Sequence, residues 1–134
     1  MLKDITEQQN NTVGIAIVKE INQDLEIEWN VFVVNLDGDK IENVFVTCKG
    51  FGLIENESKE TSITRYFLED IDEQTAVKVE PINPDLFILN NEYVLVFYQN
   101  GVMYDKKITF TENTITENTL KQIPIVDCLG VLLF

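Results

Sequence analysis

The chain has 134 residues, 45% of them apolar, and its 23 carboxylates outnumber ten basic residues to give a formal net charge of −13. It contains no histidine and a single arginine, Arg65. That removes the usual general base near neutral pH, the commonest metal ligand and the guanidinium clamp for phosphate or carboxylate substrates. The acidic balance also excludes a nucleic-acid or anionic-membrane surface, since both need clustered Lys and Arg.

This length predicts one domain over residues 1–134, with residues 1–12 a frayed polar lead-in. No stretch is apolar enough for a signal peptide or a membrane span, so an untrimmed chain is expected in the cytoplasm. Cys48 and Cys128 share no metal-ligand spacing and read as small core residues in a reducing compartment.

Eight stretches carry strand character. The first is Val13 to Ile21. In the second, Leu25 to Leu36, residues Leu25, Ile27, Trp29, Val31 and Val33 alternate with polar ones before Phe32, Val34 and Leu36 make the other side apolar. Such a strand starts at an edge and ends covered on both faces. The turn Asp37 to Lys40 leads into Ile41 to Lys49, whose Val44, Val46 and Cys48 are expected to share a core face with Trp29, Val31 and Val33.

Gly50-Phe51-Gly52 reads as a strand end and Asn56 to Lys59 as a charged loop. Thr61 to Leu68 fits either a strand or a helical turn. Ala76 to Ile82 alternates, and Pro81 with Pro84 ends it. The sharpest local signal is Asn100-Gly101 between Glu92–Gln99 and Val102–Phe110, which predicts a two-residue type I′ hairpin. Its register sets Phe97 opposite Tyr104, Leu95 opposite Lys106 and Tyr93 opposite Ile108. Thr111 to Thr119 is a polar connection with room for one helical turn, and IPIV and VLLF close the chain.

Strands separated by turns, without βαβ alternation, predict an all-β fold. The expected architecture is an antiparallel two-sheet β-sandwich of about eight strands, immunoglobulin-like in outline, with a β-barrel as the runner-up.

Candidate sites are few. Asp37, Asp39 and Glu42, or Glu69, Asp70, Asp72 and Glu73, could gather oxygen ligands for Ca²⁺, or could simply be solvated turn residues. Neither group lies in an obvious cleft, so carboxylate catalysis is not expected. Arg65 is a candidate ligand grip or, more simply, an ion-pair partner. Lys106 points inward by alternation, so it either lines a pocket or lays its stem along the core with the ammonium reaching out. On the other face of the hairpin, Val94, Val96 and Tyr98 stand beside Met103. That strip is either covered by another element or exposed for self-association or a protein partner.

The series Trp29 to Leu36, Val46 to Gly52, Arg65 to Asp70, Val77 to Ile82, Leu89 to Tyr93 and Met103 to Lys107 resembles a small family of uncharacterised bacterial proteins. Some of these carry a phenylalanyl-tRNA synthetase alpha-subunit label that this short chain does not support. The resemblance implies no activity and no site residues.

The expectation is a non-enzymatic protein-interaction or structural module, without metal or cofactor, acting through an apolar strand surface. Its partner would be another protein or a second copy in a homodimer. A small-molecule or Ca²⁺-binding β-domain is the alternative.

Overall fold

The computed structural model describes residues 11–134. In chain order the strands are β1 (Val13–Ile21), β2 (Ile27–Asn35), β3 (Ile41–Ile54), β4 (Glu57–Glu60), β5 (Thr64–Ile71) and β6 (Thr75–Pro81). A 3₁₀ helix (Pro84–Ile88) follows, then β7 (Asn90–Gln99), β8 (Val102–Phe110), β9 (Lys121–Gln122) and β10 (Leu129–Leu133). The first sheet has the order β6-β2-β1-β10-β9. In the second, β4, β3, β7 and β8 are neighbours, and β5 pairs with β3 beside β4. Every pairing is antiparallel.

The fold is thus all-β with two antiparallel sheets. Alternation places one side of each sheet in a common core. Val13, Ile15, Ile17, Val31 and Val33 from the first sheet meet Val44, Val46, Cys48, Tyr93, Leu95 and Phe97 from the second, and Trp29 packs against them. The expected sharing of a core face by β2 and β3 therefore holds, but across the sheets. The two strands are not a hairpin, because Leu36 to Lys40 carries the chain from one sheet to the other.

Asn35 organises that crossing. Its buried amide nitrogen donates to the carbonyls of Asp39, Ile71 and Asp72, and its oxygen accepts from the Asp37 amide. Asp37 in turn accepts from Gln99 Nε2 at 2.7 Å and from Thr12 Oγ1 at 3.1 Å. Thr12 also accepts the Leu36 amide, so the chain is tied down from there on; residues 1–10 of the expected frayed segment lie outside the described residues.

The Asn100-Gly101 hairpin has the register read from the sequence, with Phe97 opposite Tyr104, Leu95 opposite Lys106 and Tyr93 opposite Ile108. Both turn residues have positive φ, 53° and 79°, as a type I′ turn demands.

Two expectations need correction, those for Gly50-Phe51-Gly52 and for Asn56 to Lys59, and three open segments gain definition. Gly50-Phe51-Gly52 does not end β3, which continues to Ile54 because β7 pairs on one side and Thr61 and β4 bond on the other. Asn56 to Lys59 is largely strand β4, reached by a tight turn in which Glu55 and Asn56 both take positive φ. All four β4 residues are exposed and polar, so no apolar alternation announced them. IPIV is a turn, closed by bonds from the Asp127 amide to the Ile123 carbonyl and from the Ile123 amide to the Cys128 carbonyl. Thr111 to Thr119 holds two i→i+3 turns and no helix. The open choice for Thr61 to Leu68 resolves as strand, starting at Thr64.

The chain's end covers the outer face of the first sheet. Ala16, Val18 and Val34 point away from the main core and are buried under Ile123, with Val126, Cys128 and Leu132 packed alongside. β9 and β10 share only two residue pairs. Burying Ile123, worth about 1.5–3 kcal/mol, therefore matches the contribution of this short ladder in holding the edge.

Candidate functional site

The outer face of the second sheet has no such cover among the described residues. The register aligns its outward side chains in rows. One runs Asp105–Val96–Phe45–Phe67 across β8, β7, β3 and β5. The next runs Lys107–Val94–Thr47–Arg65. Met103 and Tyr98 pair above the first row, in register with Glu42, and Thr109, Glu92 and Lys49 lie below the second.

Four of these apolar side chains are well exposed: Phe67 at 55%, Met103 at 45%, Phe45 at 40% and Tyr98 at 39%. Val94 and Val96 are half-buried between them. The Phe45 and Phe67 ring centroids are 6.0 Å apart. The structure therefore brings Val94, Val96, Tyr98 and Met103 onto one surface and extends it with two phenylalanines that the sequence reading did not single out. Phe45 was inferable, since Val44, Val46 and Cys48 facing inward leave it outward. Phe67 was not, because Thr61 to Leu68 had no settled period.

The charges of the four central rows are balanced. Lys49, Arg65 and Lys107 stand in register with the apolar rows, as do Glu42, Glu92 and Asp105. In a chain of net charge −13, equal numbers of each sign within these four rows is a local departure, and Glu60 of β4, in register with Phe51, adds a carboxylate beyond them. Lys107 pairs with Glu92 at 3.7 Å. Arg65 is exposed and forms no ion pair among the described residues.

Lys106 belongs elsewhere. It sits opposite Leu95 on the inner side, with its ammonium donating to the Val13 carbonyl at 2.7 Å and lying 5.9 Å from the Phe134 ring centre. Burial holds its pKa below the usual lysine value. The stem follows the core and the charged end clips the edge of the second sheet to the start of β1.

The acidic turns are structural where their contacts are seen. Asp37 serves the crossing described above, and Asp70 accepts the Asn43 amide at 3.1 Å. Among the described residues, no three Asp, Glu or Cys side chains converge in a way that could hold a metal ion.

A cleft of about 230 Å³ opens at one end of the sandwich, lined by Cys48, Thr64, Glu80, Asn91 and Tyr93 among others. It contains one carboxylate, Glu80, which accepts the Tyr66 hydroxyl. Burial, with Glu80 adding to it, pushes the Cys48 thiol up to about 12, so this sulfur is not a ready nucleophile. Both cysteines are free, and Cys48 and Cys128 lie in separate apolar clusters. No helix among the described residues is long and apolar enough to cross a membrane. No family model, curated protein or solved structure matches the chain.

Proposed function

We propose that this protein is a non-enzymatic interaction module whose working surface is the outer face of the second sheet. The supporting observation is the contrast between two equivalent faces. The chain's own end buries the outer apolar residues of the first sheet, whereas Phe45, Phe67, Tyr98 and Met103 remain in solvent on the second. Contiguous exposed apolar surface of this kind marks a contact site.

We also read the fold as immunoglobulin-like in outline, the setting as cytoplasmic, and the chain as akin to the bacterial proteins its residue series resemble. None of these adds an activity. The interaction reading is tested with Val96→Lys, which places a charge at the centre of the face without touching the core. Wild-type protein should associate with itself or with cellular proteins in a way that the folded variant does not. Identical behaviour of the two would overturn the proposal.

A further inference from the structure

We propose that the partner of this face is a second copy of the same chain, packed about a two-fold axis that runs across the strands between the Val94 and Val96 rows. The inference rests on the interaction reading above and adds the occupant and its register.

The argument is charge complementarity. A rotation about such an axis lays each strand over its own copy and exchanges the two central rows. Val96 then meets Val94 of the second copy. Asp105 meets the second copy's Lys107, two residues away on the same strand face. Phe67 meets the second copy's Arg65, setting a guanidinium against an aromatic ring. The outer rows exchange as well, so Glu42 meets the second copy's Lys49, and Tyr98 offers its hydroxyl to the second copy's Glu92. Both members of every pair come from one surface, which an isologous interface requires.

The other in-plane choice is also isologous but fails on charge. An axis parallel to the strands would lay β8 on the second copy's β5 without exchanging rows. Lys107 would then stand against Arg65, a like-charge contact that specific interfaces avoid. A basic partner protein is disfavoured too. The molecule's net charge of −13 would attract it, but the four central rows of this face carry three charges of each sign and give it no local preference there.

Sedimentation equilibrium of the full chain over about 1 μM to 1 mM tests the proposal. The wild type should show a reversible monomer–dimer equilibrium. Asp105→Lys should weaken dimerisation by about tenfold or more, because it sets two lysines together. Asp105 makes no ion pair among the described residues, so this variant leaves the folded monomer's own ion pairs intact. Lys107→Asp, which also removes the pair with Glu92, should weaken it at least as much, and the double variant Asp105→Lys/Lys107→Asp should recover at least about threefold over Lys107→Asp alone. Thermal melting establishes that each variant is folded.

A wild type that stays monomeric, an Asp105→Lys dimer of undiminished strength, or a double variant that does not recover would each overturn the second-copy proposal. If the wild type is monomeric yet captures another protein that Val96→Lys loses, only the second copy is ruled out. If Val96→Lys behaves as wild type throughout, the interaction reading itself falls.

Discussion

Phe45 and Phe67 are direct cross-strand neighbours on β3 and β5, and both point away from the core. The inward neighbours of the same strands, Val44, Val46, Tyr66 and Leu68, fill the space between the sheets. One β-pleat thus serves two purposes: its inner side holds the fold, and its outer side presents two aromatic rings to solvent.

That division separates the effects of two phenylalanine truncations. Phe67→Ala should change folding free energy by less than about 1 kcal/mol, since the ring is already more than half exposed. Phe97→Ala removes a fully buried ring stacked on Tyr104 and should cost about 3–5 kcal/mol. Urea unfolding of both variants measures the difference. Comparable losses would mean that Phe67 is packed in solution.

Asn35→Ala should cost about 2–3 kcal/mol, because it strips the hydrogen bond from three carbonyls at the crossing between sheets. Hydrogen exchange should rise first in residues 36–40 and at the β5–β6 turn. A loss below about 0.5 kcal/mol would show that water replaces the amide without penalty.

Gly130→Ala tests the seam between β1 and β10. A Cβ there would lie 2.4 Å from the Ile17 carbonyl oxygen and 2.8 Å from Val18 Cα, both backbone atoms that cannot swing aside. β10 must move off β1, and overpacking of this kind costs about 1–3 kcal/mol or more. A variant that melts at the wild-type temperature would contradict this close approach.

Alkaline pH should destabilise the protein through Cys48. Its thiol has a folded pKa raised from 9.0 to about 12, so the unfolded chain gives up the proton first. Stability attributable to this group is present below pH 9.0 and falls as pH rises towards about 12, by up to about 1.4 kcal/mol per pH unit. Burial raises Tyr93 in the same direction above 10.0. Lys106 acts oppositely, since its lowered pKa lets stability recover just below 10.5. Urea midpoints measured across this range should fall less steeply for Cys48→Ala. An unchanged slope would remove Cys48 from the account.

Local patterns carried much of the architecture. The alternation of β2 and the Asn100-Gly101 turn are properties of a few adjacent residues, so strand faces and one complete hairpin register could be read without coordinates. The absence of histidine likewise bore on chemistry independently of fold. Other features depend on contacts between residues far apart in the chain. Whether Val94, Val96 and Tyr98 are covered depends on which sheet the chain's end lies against, and Ile123 goes to the first. That Arg65, Phe67, Asp105 and Lys107 share one face depends on β5 and β8 flanking the β3–β7 pair. Periodicity says which residues share a side of a strand, but only strand order says which sides adjoin and which stay in water.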